Sequence, residues 1–393
     1  MQCIRVRLVD KQAEIRYSVH FLAPINSQRG VSSESFWRVF ISRHLQCIVL
    51  FIINTLNQTL MNTTFRRAAA GLTLLLSASA AFAAPAMTVL GKDFTFPNKI
   101  AGMPAKLSDF KDLQINHFTT NDGVKLAYWE AGKGKPLVFL PGWSANGAEY
   151  LNVMYLLSKK YRVIVLDPRN QGLSEHTEKG GHIARFAADL NDLNNHLGLK
   201  KADYVGWSMG ASVLWSFIDL YGTKGIGKVG FVDEAPSIYS HADWSEKERV
   251  DAGAMTSDVE RMIESFSIGK MPNTMVVSSK AFERAGLMDS PYYQNSELFA
   301  KEFVKTDPAA TKRVMFDHFS NDWRDVIAQK INVPAAIFTG VYSDAAGGQR
   351  WIASVVKNSE LHVYTAAEQG DHFLMFKNPV KFTTDLDAFL SKP

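Results

Sequence analysis

Residues 84–393 contain no cysteine, because Cys3 and Cys47, the two cysteines of the chain, both lie upstream. This excludes disulfide bonds, thiolate metal sites and cysteine nucleophiles from the region. Positive charge is not in excess there either. The region has 34 lysines and arginines against 36 aspartates and glutamates, although the whole chain has a formal net charge of +4. A nucleic-acid-binding surface needs a basic patch, so we expect no nucleic-acid partner.

Residues 1–60 lack both a regular hydrophobic period and an apolar run long enough to cross a bilayer. Their longest apolar run, Ile48 to Ile53, is far shorter than the roughly 20 residues that a spanning helix needs. We interpret this segment as an over-long gene start, translated upstream of a true initiator at Met61 and without a fold of its own.

Residues 61–83 have the layout of a bacterial-type secretory signal peptide. Arg66 and Arg67 precede a short run of alanine and leucine, and small residues at Ala81 and Ala83 follow it. Cleavage after Ala83 is the simplest expectation. The alternative, a buried helix of the mature fold, is disfavoured because nothing upstream resembles a domain that could cover it. We therefore expect a secreted or periplasmic protein that keeps no stable membrane anchor.

The remainder of the chain predicts an α/β fold. The chain is 46% hydrophobic and 21% charged, enough to bury a full core. Short β-branched or aromatic runs alternate with helical patterns, and runs so continuously apolar are typical of strands that are covered on both faces. We expect a mostly parallel, doubly wound sheet. The predicted strands span 135–140, 161–167, 202–207, 228–233, 334–339 and 361–365, preceded by a hairpin around Asn121-Asp122-Gly123.

The alternation stops between Pro236 and Val333, where helical stretches occur without an obvious core strand. A structureless loop of this length is implausible in a compact domain. We therefore predict a core of residues 84–236 and 331–393, and a helical cap of residues 237–330 that lies over the carboxyl ends of the strands.

The strongest local motif is the sequence Gly-Trp-Ser-Met-Gly at 206–210, which follows a predicted strand and opens a predicted helix. In such a sharp turn the glycines avoid clashes with neighbouring backbone, and the serine is lifted out at the carboxyl edge of the sheet. Ser208 is therefore the candidate nucleophile. A structural turn remains the alternative, since the five-residue pattern alone is a modest signal.

A serine nucleophile needs a base and an acid. Of the eight histidines in residues 84–393, His372 is the candidate base because it follows the last predicted strand in a glycine-containing loop. Asp344, 28 residues earlier and after a strand, gives the order serine, acid, histidine and is the favoured acid. Asp233 also ends a strand and is the alternative acid. Asp371 adjoins the histidine too closely in sequence to reach its ring comfortably.

These motifs resemble the α/β-hydrolase superfamily over most of residues 84–393, and among its members the non-haem haloperoxidase and arylesterase group. The matching segments are FLPGW at 139–143, DPRNQGLSE at 167–175, GWSMG at 206–210, FVDEAP at 231–236, the turn at 340–344 and GDHFLMFKNP at 370–379. The chain departs from the family at Pro141-Gly142, where a His-Gly pair is usual. That departure puts the anchoring of this loop in question.

The resemblance implies that the N–H groups of Trp143 and Met209 form an oxyanion hole. It also implies that Ser208, a histidine and an acid hydrolyse a carboxylic ester or a lactone through an acyl-enzyme. Haloperoxidase-like perhydrolysis and acyl-homoserine lactone cleavage fit the same residues, and a non-catalytic ligand-binding protein is the remaining alternative.

Aromatic residues in and around the cap favour an apolar substrate group. We expect Trp143, Trp207, Trp244 and Trp323 to line the substrate pocket. No histidine or carboxylate cluster has the spacing of metal ligands, so we expect neither a metal nor an organic cofactor.

Overall fold

The computed structural model describes residues 84–97, 100–268, 284, 286–304 and 307–393, without side-chain detail at 265–268 and 308. The proposed over-long start at 1–60, the signal peptide at 61–83 and both cysteines lie outside the described residues. Within the described part of the chain, no helix combines the length and apolar character needed to cross a bilayer.

One nine-stranded sheet organises the fold, in the order β1-β2-β3-β5-β4-β6-β7-β8-β9. The first three strands and β5 pair antiparallel, and every other pairing is parallel. The strands are β1 (Ala84–Pro85), β2 (Gln114–Thr119), β3 (Lys125–Ala131), β4 (Lys135–Leu140), β5 (Tyr161–Leu166), β6 (Ala202–Trp207), β7 (Ile226–Val232), β8 (Ala335–Gly340) and β9 (Ser359–Tyr364). The prediction of a mostly parallel sheet is confirmed.

The predicted hairpin is also present, between β2 and β3. Gly123 has a φ of 85°, a conformation that glycine adopts without a steric penalty. Its N–H donates to the carbonyl of Thr120, and the N–H of Thr120 donates to the carbonyl of Val124. The Asn-Asp-Gly sequence therefore closes the turn as its composition predicts.

Helices cover both faces of the sheet, as the doubly wound pattern predicts. They are α1 (Ala86–Leu90), α2 (Leu151–Leu157), α3 (Ile183–Leu197), α4 (Met209–Tyr221), α5 (Glu246–Ala252), α6 (Val259–Ile268), α7 (Pro291–Phe303), α8 (Pro308–Thr311), α9 (Met315–Ser320), α10 (Arg324–Lys330), α11 (Ala346–Val355), α12 (Leu374–Lys377) and α13 (Pro379–Leu390). Two buried apolar clusters result. The first contains α3, α4 and parts of α9 and α10, and the second contains α2, α7 and α13.

The described residues of the segment between β7 and β8 form the helices α5 to α10, joined by loops, and contribute no strand to the sheet. Its few extended contacts are isolated bridges, from Ser237 to Asp322 and from Tyr239 to Thr256. Its contacts with the carboxyl edge of the sheet include two hydrogen bonds: the Trp143 indole donates to the carbonyl of Thr311, and the Trp323 N–H donates to the carbonyl of Pro236. The division into a core and a cap at 237–330 stays a prediction, and these contacts are consistent with it.

Candidate active site

Ser208 lies on a strained turn between β6 and α4, with φ 52° and ψ −132°. The flanking glycines are required by close backbone contacts. A Cβ on Gly206 would lie 2.5 Å from the Gly210 carbonyl oxygen, and one on Gly210 would lie 2.0 Å from that of Leu140. The N–H of Ser208 donates to the carbonyl of Val232 at 2.9 Å, which fixes the turn to the end of β7. Such strain is typical of a site where the surrounding structure holds a functional side chain in place.

His372 joins Ser208 to an aspartate. Its Nε2 atom lies 3.1 Å from the Ser208 Oγ atom, and its Nδ1 atom lies 2.9 Å from Oδ2 of Asp233. The histidine side chain is 24% exposed and that of Asp233 only 1%. The three groups therefore form a continuous hydrogen-bonded chain from a buried carboxylate to the hydroxyl of the turn, which is the arrangement that activates a serine.

Asp233 is held rigidly where β7 ends. It adopts φ 49°, and its N–H donates to the carbonyl of Phe338 on the neighbouring strand. The Thr339 hydroxyl donates to its Oδ1 at 2.7 Å, so that Oδ2 is directed to His372. Both carboxylate oxygens thus have partners, which fixes the orientation of the carboxylate toward the imidazole.

Charge around His372 favours its protonated form. Burial alone would lower the pKa of His372, but the hydrogen bond and charge of Asp233, with the charge of Asp371, raise that pKa above its ordinary value. The site is therefore suited to hold a proton taken from Ser208.

The sequence favoured Asp344 as the acid, but in the structure it is Asp233 that contacts the imidazole of His372. Asp233 directly follows β7, the immediate sheet neighbour of β6, whereas Asp344 comes four residues beyond β8. The Oδ2 atom of Asp344 is buried without a hydrogen-bond partner among the described residues. Burial and the charge of Asp233 raise the pKa of Asp344 to about 6, against the opposing charge of His372. Both aspartates satisfy the chain order, so order alone could not separate them.

The turn at 141–143 lies directly against Ser208, since a Cβ on Gly142 would approach the Ser208 Cβ to 2.9 Å. Gln171 anchors this turn. Its side-chain amide donates to the carbonyls of Gly142 and Ala145, and its oxygen accepts the N–H of Ser144 at 2.7 Å. A buried glutamine thus supplies the loop contacts that the absent histidine put in question. The sequence analysis missed this role, although Gln171 lies in the DPRNQG segment.

Two of the four expected pocket tryptophans have other contacts. The Trp207 indole donates to the His372 carbonyl at 2.8 Å, and its ring packs on the imidazole, so it positions the histidine loop. Trp244 packs under the guanidinium of Arg324, 4.0 Å from its ring centroid. The prediction that these tryptophans line a substrate pocket stays a prediction. Trp143 is half-buried beside the turn, and Trp323 is buried beside Pro236.

The histidine loop rests on a buried ion pair. Asp371 and Lys377 are both fully buried, with Nζ 2.8 Å from Oδ2. Lys377 also donates to the carbonyl of Arg284 and lies 3.1 Å from Asp289. Breaking one partner of such a pair leaves an uncompensated buried charge, which is strongly destabilising. Asp371 therefore supports the backbone of His372.

A further carboxyl group, Glu234, lies beside the nucleophile and was missed by the sequence analysis. It is 3% exposed, and Ser208 is near enough to act on its carboxyl group. Burial raises the pKa of Glu234 to about 8, while the charge of His372 opposes that rise. The only sequence signal was its position directly after Asp233 at the end of a strand. Within the described residues, no group of three histidine, cysteine or carboxylate side chains is arranged to hold a metal.

Comparison with known proteins agrees with this geometry. The family model for the alpha/beta hydrolase fold matches residues 135–272, which include the turn at Ser208 and Asp233. A non-heme chloroperoxidase of Kitasatospora aureofaciens is 27% identical over 70% of this chain and 98% of its own length. The chain has the α/β-hydrolase fold and is similar in sequence to members of that superfamily.

Solved structures show the same fold at lower identity. An esterase from Exiguobacterium antarcticum has a TM-score of 0.56 at 21% identity, over 70% of this chain and 99% of its own. The enol-lactonase from Burkholderia xenovorans has a TM-score of 0.53 at 19% identity, over 70% of this chain and all of its own. Together with the family model and the chloroperoxidase, these likenesses support an enzyme of the hydrolase type.

Proposed function

We propose that this α/β hydrolase cleaves a carboxylic ester or a lactone through an acyl-enzyme on Ser208. The observation that carries the proposal is the hydrogen-bonded chain from Ser208 through His372 to Asp233. In this mechanism Ser208 Oγ attacks the substrate carbonyl and His372 Nε2 accepts its proton. Asp233 fixes the ring orientation and stabilises the imidazolium. The proton then passes to the leaving alcohol as the acyl-enzyme forms.

The backbone N–H groups of Trp143 and Met209 would stabilise the oxyanion of the tetrahedral intermediate. The close approach of Gly142 to Ser208 supports this role, because it brings the turn that contains Trp143 beside the nucleophile. Met209 begins α4, whose N-terminal dipole also favours developing negative charge. One such donor contributes about 2.7 to 4 kcal/mol in comparable sites.

The names of the related proteins support the substrate class. An esterase and an enol-lactonase share the fold over most of residues 84–393, and both substrate types present a carbonyl to a nucleophile. A second candidate activity is perhydrolysis, in which hydrogen peroxide replaces water as the acyl acceptor. It is favoured by the chloroperoxidase, which matches this chain over nearly its whole length. Acyl-homoserine lactones are one lactone class to include in the test.

Labelling and turnover together test the proposal. The purified protein should react with a fluorophosphonate at Ser208, and it should hydrolyse members of a p-nitrophenyl ester series or a lactone panel. Ser208→Ala should remain folded, lose labelling and lose about three or more orders of magnitude in turnover. A ligand-binding protein without catalysis would leave Ser208 unlabelled. Retention of more than a tenth of the activity in Ser208→Ala would remove Ser208 from the mechanism.

We also propose that the protein is exported, on the strength of the signal-like sequence at 61–83. Expression from Met61 in a bacterial host should yield periplasmic or secreted protein with an N-terminus near Ala84. N-terminal sequencing of the exported material measures this directly. Peptides from residues 1–60 in the native protein would contradict the interpretation of that segment as an over-long start.

A further inference from the structure

We propose that Glu234 and His318 form a polar pair that holds the water molecule attacking the acyl-enzyme, so that they act in the second half of the reaction. This inference rests on the proposed function, since it requires an acyl group on Ser208. It assigns roles to two buried side chains outside the chain of Ser208, His372 and Asp233.

The position of Glu234 is the first observation. It directly follows Asp233, so it leaves the carboxyl edge of the sheet near the nucleophile, where His372 and Ser208 are among the groups that act on its carboxyl group. Its Oε1 atom accepts the N–H of Ala235 at 2.8 Å, and its own carbonyl accepts the side-chain amide of Gln349. These backbone contacts hold the carboxyl group in place.

His318, from α9 of the helical segment, lies close to Glu234. Its Nε2 atom lies 3.8 Å from Oε2 of Glu234, and the side chain is 4% exposed. Its Nδ1 atom is buried and has no hydrogen-bond partner among the described residues. A buried polar atom in this condition is costly unless a ligand or substrate supplies a partner. The two side chains thus form a buried polar pair next to apolar packing that includes Met315 and Phe319.

Neither member of the pair opposes the reaction electrostatically at neutral pH. The pKa of Glu234 is raised to about 8 by burial, so this carboxyl group is mainly protonated at pH 7. Burial lowers the pKa of His318 to about 3, so its imidazole is neutral. A negative carboxylate beside Ser208 would repel the developing oxyanion, and a neutral carboxyl group does not.

Acylation changes what Glu234 can bind. In the free enzyme the Ser208 hydroxyl donates its one hydrogen to His372, and only its oxygen is available to the protonated Glu234. In the acyl-enzyme that oxygen is an ester oxygen, which is a weaker acceptor, so its interaction with Glu234 weakens. A buried carboxyl group that loses a partner gains from a new one. A water molecule beside the acyl carbonyl supplies it, donating one hydrogen to Glu234 and the other to Nε2 of His372.

The step balances without another reactant. The water oxygen forms a bond to the acyl carbon as one water proton passes to His372 Nε2. The bond between that carbon and Ser208 Oγ then breaks, and His372 returns the proton to Oγ. The product is the carboxylic acid, and free enzyme is regenerated. Glu234 and His318 are positioning residues here, because they orient the water and exchange no proton in the net reaction.

Competition between water and methanol as acyl acceptors tests this role. Methanol has one O–H hydrogen, which His372 takes, so it has none to donate to Glu234. The full chain is supplied with p-nitrophenyl butyrate and methanol, and the ratio of methyl butyrate to butyrate is measured. Glu234→Met removes the carboxyl group at similar length and should raise this ratio about 5- to 10-fold, as expected for the loss of one hydrogen bond. Glu234→Gln keeps an acceptor oxygen and should stay within about 3-fold of the wild type.

Two further variants complete the design. His318→Phe leaves Glu234 in place and should raise the ratio in the same direction, so the test survives a failure of Glu234→Met to fold. Glu149→Gln is the matched control. Burial raises the pKa of Glu149 well above its ordinary value, as it does for Glu234, and the charge of Glu297 adds to this rise. The ratio of methyl butyrate to butyrate in Glu149→Gln should equal that of the wild type.

The outcomes separate this inference from the proposed function. Fluorophosphonate labelling of each variant reports whether Ser208 remains reactive. An unchanged ratio in labelled Glu234→Met overturns the role of Glu234, and an unchanged ratio in labelled His318→Phe overturns the pairing. If wild-type protein is neither labelled nor yields methyl butyrate, the acyl-enzyme itself is absent and the proposed function fails first.

Discussion

The turns after β7 and β8 each place an aspartate near His372, but the two aspartates interact with this histidine differently. Asp233 follows β7 directly, with one carboxylate oxygen bonded to Thr339 and the other to His372. Asp344 is the fourth residue beyond the end of β8, and its Oδ2 atom is buried without a hydrogen-bond partner among the described residues. The two aspartates differ in their distance along the chain from the preceding strand. A residue next to a strand is held in place by the hydrogen bonds of the sheet.

This comparison shows that an acidic residue after a strand does not identify the acid of the site. What distinguishes Asp233 is the set of groups that orient it. Its backbone is tied to Phe338 and its Oδ1 to Thr339, so little side-chain entropy remains to be lost when Oδ2 meets the imidazole. Asp344 acts on the same histidine only through its charge.

Exchanging each aspartate for asparagine gives the largest expected contrast. Asp233→Asn should lower kcat/KM for a reactive ester about 10⁴-fold, because the amide cannot stabilise the imidazolium and favours the wrong tautomer. Asp344→Asn should lower it less than about 10-fold. Steady-state kinetics on both purified variants measure the two values of kcat/KM. The opposite ranking would return the acid to Asp344.

The stability of Asp344→Asn should depend on pH in a defined direction. The pKa of Asp344 is raised from 3.8 to about 6, so the folded protein holds a proton there that the unfolded chain releases. This group therefore stabilises the fold fully below about pH 4, and the contribution is lost as the pH rises through 6. Relative to the wild type, the variant should gain roughly 2 kcal/mol in free energy of unfolding between pH 4 and pH 7. Urea titrations at the two pH values measure this, and a loss over that interval contradicts the raised pKa.

The hydrogen bond from Thr339 accounts for part of the advantage of Asp233. Thr339→Val keeps the shape but leaves the Asp233 Oδ1 atom without its hydroxyl donor. We expect kcat/KM to fall about 10-fold, in line with the loss of a hydrogen bond to a charged group. Ser343→Ala, on the turn that precedes Asp344, is the matched control and should change the rate less than about 2-fold. Equal effects of the two substitutions would show that support from Thr339 is not what distinguishes the turns.

The smallest expected effect concerns the acidic limb of the pH profile. His372 must be neutral to act as a base, so kcat/KM rises with pH through its pKa. The ionised carboxylate of Asp344 favours the imidazolium, so Asp344→Asn should lower the pKa of His372 and move the limb about half a pH unit toward acid. The rate measured from pH 5 to 8 reports the shift. A move toward higher pH would mean that the charge of Asp344 does not reach the histidine.

Sequence reasoning predicted the parts of the molecule that depend on local pattern. The strands at β4 and β6 are present with the predicted bounds, because their apolar runs are continuous and short. The turn at Ser208 and the loop of His372 were recognisable from glycines beside polar residues at strand ends. Contacts that depend on how separate loops meet were not accessible. Gln171 anchors a turn 29 positions away, and Trp207 bonds to the carbonyl of His372, 165 positions away.

The bonds that cross from the helical segment to the sheet edge limit how this enzyme can be engineered. The indole of Trp143 is tied to the carbonyl of Thr311, and His318 lies over Glu234. Exchange of residues 237–330 for the corresponding segment of another hydrolase would therefore remove the hydrogen-bond acceptor of Trp143 and loosen the turn at 141–143, which lies against Ser208. A chimera that aims only at a new substrate preference would also alter the geometry of bond cleavage. Variants that keep residues 311 and 318 and change their surroundings are the better starting library.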